Sequence, residues 1–252
     1  MSLIKQIIEN TNHELIKIQD EIRNFFGWDL SDDLESTEKL LYKINNSDVN
    51  YWKKSNRDKS LTDIIEQMNS TRKKIVIIGA AVSSSEIIKI LKNNNFFVLA
   101  DGAGAVFSTL DDELAEEAWA RTLCIISDGD GGDGLIQAIK REIPLILHAH
   151  GDNIHSWSKT VDYILSSGTE IKLVLTHQLP KNMNGVYNFG GFTDGDRAVC
   201  FVHSAGVPND RIVLIGTRTD IVGQWSGITD KELKLSKLKW MKKVLQIIEI
   251  NY

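Results

Sequence analysis

Aspartates flanked by glycines recur at three places in the middle of the sequence. They occur as Asp101-Gly102, as Asp128-Gly129-Asp130 and as Gly151-Asp152. Carboxylates that are brought together repel one another unless a cation neutralises them. Magnesium prefers hard oxygen ligands and couples one or two carboxylates to substrate phosphates. The pattern therefore predicts a magnesium site that binds a nucleotide polyphosphate, if the fold brings these turns together.

Two histidines precede the last of these turns. His148 and His150 alternate, so both side chains lie on one face if the strand continues through them. Together with Asp152 they could form the site of a zinc- or manganese-dependent hydrolase. This metal-dependent hydrolase is the main alternative interpretation of the segment.

A second glycine-rich stretch, residues 188–198, reads Asn-Phe-Gly-Gly-Phe-Thr-Asp-Gly-Asp-Arg-Ala. Thr193 or Asp194 is predicted to cap the helix that follows. Gly190 and Gly191 would let the backbone approach a ligand closely, and Arg197 adds a cation to the run. A capped helix with a surface ion pair is the simpler alternative.

Short apolar runs precede the aspartate turns, as strands of a parallel sheet would. The strand candidates are residues 75–78, 96–100, 123–127, 144–147, 171–176 and 211–215. Segments of helical periodicity separate most of them, which predicts an α/β fold: a mainly parallel, Rossmann-like sheet with helices on both faces. Ligands of such sheets bind beyond the carboxyl ends of the strands, where these aspartates fall.

Residues 1–70 are predicted to form a helical N-terminal region. Helical spacing covers residues 3–26 as one long or broken helix, then 31–44, and then 60–68 after a polar loop at 45–59. This region shows no chemistry, and packing or homodimer formation is its expected role.

Residues 71–252 are predicted to form the α/β catalytic domain. Its last helix is expected to open with the capping pair Thr229 and Glu232 and to run to about Ile250. The predicted organisation is thus a helical region followed by one α/β domain.

The charge balance restricts the classes of function. The chain has 29 basic and 34 acidic residues, and this net charge of -5 argues against a general nucleic-acid binder. Eleven acidic residues face three basic ones between Asp101 and Asp152, so the acidity is concentrated around the predicted site.

Location follows from what the chain lacks. No apolar run reaches the roughly 18 residues of a membrane helix, and no secretory signal opens the sequence, so no membrane association and a cytoplasmic location are expected. Cys124 and Cys200 lie in apolar runs and are predicted to be buried thiols rather than a disulfide.

Four motifs occur in an order that is typical of one known family. They are residues 99–103, the turn 128–133, His-Ala-His-Gly-Asp-Asn at 148–153 and the stretch 188–198, within about 73–225. In these motifs the chain resembles the archaeal 6-hydroxymethyl-7,8-dihydropterin pyrophosphokinases. The turn that begins at Gly79 lacks the second glycine and the proline of that family's pattern.

The resemblance implies a fold like that of the thiamin pyrophosphokinase catalytic domain. It also implies magnesium-dependent transfer of diphosphate from ATP to the hydroxymethyl group of the pterin, with release of AMP. A non-catalytic nucleotide-binding relative is the remaining alternative, because a fold by itself does not fix an activity.

Site residues follow from the resemblance and from side-chain chemistry. The predicted magnesium ligands are Asp128, Asp130 and Asp152. The predicted catalytic set is Asp128, Asp130, His150 and Asp152, in which His150 or Asp152 accepts the hydroxyl proton. The predicted nucleotide contacts are Asp101, Gly102, Asn153, Thr193 and Arg197. The predicted pterin contacts are Asn188, Phe192, Asp194 and Asp196, with Trp157 as an alternative stacking side chain.

Overall fold

A six-stranded parallel sheet forms the centre of the structure, a computed structural model that describes residues 3–227 and 230–250. Its strands are β1 (Ile75–Ile78), β2 (Phe96–Ala100), β3 (Thr122–Ser127), β4 (Leu145–Ala149), β5 (Leu173–His177) and β6 (Ile212–Ile215). They lie in the order β5-β4-β3-β2-β1-β6, and every pairing is parallel. The predicted mainly parallel α/β fold is confirmed.

Helices cover both faces of this sheet. Within the described residues they are α1 (Leu3–Asn10), α2 (His13–Phe26), α3 (Leu30–Asn45), α4 (Lys54–Asn69), α5 (Ser84–Leu91), α6 (Asp112–Ala120), α7 (Gly132–Lys140), α8 (Ile154–Ser167), α9 (Asp194–Ser204) and α10 (Lys231–Ile247). Alternate strand residues face opposite cores. Ile75 and Ile77 pack with α1, α2, α4, α9 and α10, whereas Val76 and Ile78 pack with α3, α5, α6, α7 and α8.

The N-terminal helices therefore pack directly on the sheet. Leu15 of α2 and Leu61 of α4 share one core with β1, while Leu40 of α3 lies in the core on the opposite face. The predicted helical N-terminal region is confirmed for the described residues, and its boundary at residue 70 stays a prediction.

Three local predictions need correction or lie outside the described residues. Helix α4 begins at Lys54, inside the predicted polar loop, because its polar residues pair along the helix, as Lys54 does with Asp58 at 2.6 Å. Helix α8 was not predicted from the sequence; its apolar residues Trp157, Val161 and Ile164 are buried. Thr229 lies outside the described residues, and Asp230 caps α10 by accepting the Leu233 N–H at 2.7 Å.

The two cysteines behave as predicted. Cys124 and Cys200 are free and buried, on β3 and α9 respectively. Among residues 3–227 and 230–250, no helix has the length and apolar character to span a membrane.

Candidate active site

Three aspartates converge at the carboxyl edge of the sheet. Asp101 follows β2, and Asp128 and Asp130 follow β3; one oxygen of each lies within 4.8 Å of the others. Asp101 has a φ of 48°, a backbone conformation that non-glycine residues adopt rarely and that concentrates at functional sites. Asp128 Oδ1 is buried and has no hydrogen-bond partner among the described residues. This donor set fits a hard cation such as magnesium.

The raised pKa values of Asp101 and Asp130 also indicate a cation site. Burial, together with the charges of Asp194 and Asp128, raises the pKa of Asp101 well above its usual range. Burial and the neighbouring Asp128 raise the pKa of Asp130 to about 6. Both shifts express the cost of confining like charges, which a bound cation would remove.

His150 lies between two carboxylates. Its Nε2 is 3.0 Å from Asp128 Oδ2, and its Nδ1 is 2.6 Å from Asp152 Oδ1. Burial opposes the charged imidazole, but these two bonds outweigh burial and raise the pKa of His150 to about 9. The same bond to His150 lowers the pKa of Asp152 to about 2. Both ring nitrogens of His150 thus lie within hydrogen-bond distance of carboxylates, an arrangement that favours the protonated imidazole.

The structure separates Asp152 from the three-carboxylate group. The Asp152 side chain is 74% exposed and contacts His150, whereas Asp101 takes the third place beside Asp128 and Asp130. Of the predicted ligands, two are thus adjacent, and the third lies on the far side of the imidazole.

Two clefts meet at this acidic group. The larger, of about 900 Å³, runs along the turns that follow β1, β2, β3 and β6 and the first half of α10. The smaller, of about 360 Å³, is lined by Trp28, His150, Gln178, Phe192 and Arg197 in addition to the shared wall. The residues that line both clefts are Asp128, Thr193, Asp194, Lys234 and Lys237. Two neighbouring clefts with a common wall are the arrangement that two reacting substrates need.

Two lysines of this shared wall were missed in the sequence. Lys234 and Lys237 lie on α10, on the face that also carries Leu238 and Met241 into the larger cleft. Burial lowers the pKa of Lys237, while the charge of Asp152 opposes that shift. The spacing of residues 234, 237, 238 and 241 on one helical face was the available signal.

The start of α9 brings several predicted residues to the clefts. Phe192 lines the smaller cleft, and Thr193 and Asp194 line both. Burial and the charge of Asp128 raise the pKa of Asp194 to about 7, and its Oδ1 is buried without a hydrogen-bond partner among the described residues. Arg197 donates from one Nη to Gln178 Oε1 at 3.0 Å.

Two predicted contacts have their polar atoms bonded within the site loops. Asn153 accepts the His150 N–H at 2.9 Å and donates to the carbonyl oxygen of Asp128 at 3.0 Å. Asp196 is fully buried and accepts the N–H groups of Phe192 and Thr193 at 2.6 and 2.8 Å. These side chains line neither cleft because their polar atoms are engaged in holding the loops that carry the cleft residues.

Asn188 and Trp157 also lie outside both clefts. Asn188 donates to Gln19 Oε1 at 2.8 Å and accepts the Gly190 N–H at 2.9 Å. Trp157 is buried in the core, and its Nε1 donates to Ser36 Oγ at 3.0 Å. Of the predicted aromatic contacts, Phe192 lines a cleft and Trp157 does not.

Residues 216–227 form one wall of the larger cleft and cover the turn after β1. The Trp225 N–H donates to the Ala80 carbonyl at 3.0 Å, and Trp225 Nε1 donates to the Val82 carbonyl at 2.8 Å. A Cβ atom on Gly102 would lie 2.5 Å from the Trp225 carbonyl oxygen. Gly102, a predicted nucleotide contact, is therefore packed against this segment, for which the sequence indicated no site.

A carboxylate of the N-terminal region joins the site loops together. Asp33 of α3 is buried; it accepts the Gly151 N–H at 2.8 Å and the Gln178 Nε2 at 3.0 Å, and it pairs with Arg23 at 3.1 Å. Because Gln178 in turn holds Arg197, Asp33 positions both the loop after β4 and the arginine of the smaller cleft.

The alternative hydrolase set does not converge. His148 is buried, its Nδ1 lies 3.1 Å from Thr176 Oγ1, and burial lowers the pKa of His148 well below its usual value. Within the described residues, Asp101, Asp128 and Asp130 form the one group with metal-ligand spacing, and no histidine belongs to it.

A buried histidine at the end of β5 predicts a pH-dependent stability. His177 Nδ1 accepts the Leu179 N–H at 2.9 Å, and burial lowers the pKa of His177 from 6.5 to about 4. Between these values the unfolded chain binds a proton that the folded protein does not, so the free energy of unfolding falls as the pH falls. The loss approaches about 1.4 kcal/mol per pH unit.

Chemical denaturation at several pH values measures this effect. His177→Asn keeps an acceptor for the Leu179 N–H and removes the titrating group, so its free energy of unfolding should fall less steeply between pH 6.5 and 4 than that of the wild type. Identical slopes for the two proteins would refute the assignment.

Fold and site together define a doubly wound α/β protein whose clefts open at the carboxyl edge of a parallel sheet. No protein-family model matches the chain. The chain is 30% identical over 200 residues to the 6-hydroxymethyl-7,8-dihydropterin pyrophosphokinase of Pyrococcus furiosus. These residues cover 75% of this chain and 78% of that protein. Identity to the enzyme of the same name from Methanocaldococcus jannaschii is 32% over 193 residues, 72% of this chain and 69% of that protein.

A third relative of this name, from Methanothermobacter thermautotrophicus, is 29% identical over 158 residues, which cover 59% of this chain and 61% of that protein. The chain belongs to the 6-hydroxymethyl-7,8-dihydropterin pyrophosphokinase family. The resemblance noted in the sequence motifs is thereby confirmed.

Proposed function

We propose that this protein transfers diphosphate from ATP to the hydroxymethyl group of 6-hydroxymethyl-7,8-dihydropterin in a magnesium-dependent reaction that releases AMP. The observation that carries the proposal is that the two clefts meet at the three-carboxylate group: Asp128 lies on their shared wall with Lys234 and Lys237, and Asp101 and Asp130 line the larger cleft beside it. Family membership supports the same activity.

The larger cleft has the polar lining that a nucleoside triphosphate needs. Asp101, Asp128 and Asp130 would hold the magnesium, which when bound supplies positive charge to the phosphates. Lys234 and Lys237 bind the same phosphates from the opposite side. Together these groups offset the negative charge that otherwise keeps a nucleophile away.

In the reaction, the hydroxymethyl oxygen forms a bond to the β-phosphorus, and the bond from that phosphorus to the α,β-bridging oxygen breaks. AMP leaves with the bonding electron pair, and the product is the pterin diphosphate. The hydroxyl proton passes to Asp194, because this carboxylate lines both clefts and its buried Oδ1, 3.5 Å from an Nη of Arg197, accepts no hydrogen bond among the described residues. Both ring nitrogens of His150 already pair with carboxylates, and Asp152 lines neither cleft.

The test is an assay of AMP formation by the purified protein. We expect AMP in the presence of ATP, magnesium and 6-hydroxymethyl-7,8-dihydropterin, loss of the signal with excess EDTA, and its return with added magnesium. Thiamin replaces the pterin in a parallel reaction, because the fold alone permits either acceptor.

AMP formation with thiamin but not with the pterin would contradict the proposed acceptor. ATP binding without AMP from either acceptor would indicate a non-catalytic nucleotide-binding protein. Phosphate release that does not depend on an acceptor would indicate a hydrolase.

A further inference from the structure

The smaller cleft contains an aromatic side chain from the N-terminal region. Trp28 follows α2 and precedes α3, and its ring lines the cleft opposite the residues that begin α9. No chemistry was expected from residues 1–70. Trp28 is nevertheless the described residue of that region that reaches this cleft.

The backbone fixes the position of Trp28. Gly27 ends α2 in the left-handed conformation, with a φ of 68°, and the Trp28 N–H donates to the Arg23 carbonyl at 2.9 Å. This 6→1 bond, with a glycine at the preceding position, is a Schellman motif, which sets the direction of the chain as it leaves the helix.

Other aromatic rings hold the Trp28 side chain. Phe26 stacks on it with ring centroids 4.6 Å apart and an interplanar angle of 15°. Phe192 lies 5.9 Å from Trp28 at an angle of 42°, and Phe26 also stacks on Phe192, so the three rings form one cluster of which Trp28 and Phe192 line the cleft. Lys237 Nζ is 5.2 Å from the Trp28 ring centroid, which links this ring to the lysines of the shared wall.

We infer that Trp28 and Phe192 bind the ring system of the acceptor, so that the N-terminal region determines which acceptor the enzyme uses. The inference rests on the proposed diphosphate transfer and assigns the acceptor to the smaller cleft. A flat heterocycle there gains stacking from the two rings, and Arg197 supplies donors for its polar edge. Its hydroxymethyl group then points to the shared wall, where Asp128 and Asp194 lie.

Steady-state kinetics of three variants test this assignment. Trp28→Ala should raise the KM for the pterin roughly tenfold, as loss of one stacking ring does for nucleobases, while the KM for ATP stays at its wild-type value. Trp28→Phe keeps an aromatic face and should restore most of the affinity. Phe25→Ala is the matched control. Phe25 is an aromatic residue three positions before Trp28, is 62% exposed and lines neither cleft.

Calorimetric titration with 6-hydroxymethylpterin, a stable oxidised analogue, separates this inference from the proposed function. Binding to the wild type that weakens about tenfold in Trp28→Ala supports the inference even if no AMP forms. An unchanged KM and dissociation constant for the pterin in a folded Trp28→Ala variant would overturn it. A rise in the KM for ATP instead would place the nucleotide base in the smaller cleft, which also overturns it.

Discussion

Asp128→Asn should lower kcat/KM for AMP formation about a thousandfold and leave the protein folded. Asp128 is the one residue that belongs to the three-carboxylate group, contacts His150 at 3.0 Å and lines both clefts. The neutral amide keeps the shape of the side chain but removes its charge and one metal-ligand oxygen. The variant therefore loses charge at the point where the phosphates and the acceptor meet.

Stability should not suffer in this variant. The bond to His150 weakens, but the repulsion that raises the pKa values of Asp101 and Asp130 also declines. Thermal unfolding measures this part of the prediction. Asp133→Asn is the matched control, because Asp133 lies on the first turn of α7, is exposed and lines neither cleft. Wild-type activity in Asp128→Asn would contradict the assignment of Asp128 as a magnesium ligand.

Asp33→Ala should lower the free energy of unfolding by about 3 kcal/mol, the cost typical of removing one partner of a buried ion pair. Arg23 and Asp33 each expose only about 5% of their side chains and lie 3.1 Å apart. In the variant the guanidinium loses this buried carboxylate and keeps the half-exposed Asp20 and the Gln178 carbonyl as partners. The Gly151 N–H and the Gln178 amide also lose their acceptor.

Urea denaturation measures this loss. Asp32→Ala is the control, since Asp32 is the exposed neighbour and retains the Cβ that packs near Gly151. Asp33→Asn should lose less than Asp33→Ala, because an amide oxygen can still accept the Gly151 N–H. If the free energy of unfolding of Asp33→Ala falls by less than about 1 kcal/mol, the remaining partners of Arg23 stabilise its charge without Asp33.

The sequence was most informative where chemistry is local. The β-branched run at Ile75–Ile78 and the strand-end positions of Asp101 and Asp128 follow from short segments, because strand periodicity and the edge of a parallel sheet fix where such residues lie. The motif at 148–153 identified His150 as a candidate. Its contact with Asp152 lies within the motif, whereas its contact with Asp128 requires the turn after β3 to be its neighbour.

Other features depend on contacts between distant segments. Trp28 and Lys237 approach the cleft from distant parts of the chain, so the helical spacing around Lys237 shows a shared face but not which site that face meets. Asn153 and Asp196 look like ligand contacts in isolation, because a polar residue in a glycine-rich turn has the same sequence whether it binds substrate or the backbone of its own loop. Only the partners of each polar atom distinguish the two roles.

Asp33 also has a consequence for the order of folding. Its partners Gly151 and Gln178 lie 118 and 145 residues further along the chain, and α2 packs in the same core as α9 and α10. Helices α2 and α3 therefore complete their burial only after the later segments that carry Gly151 and Gln178 are in place. Until then Leu15, Ile18 and Ile22 present an apolar stripe to the solvent. Contacts of such long range slow folding. During that time the apolar stripe of these N-terminal helices can bind a chaperone or aggregate.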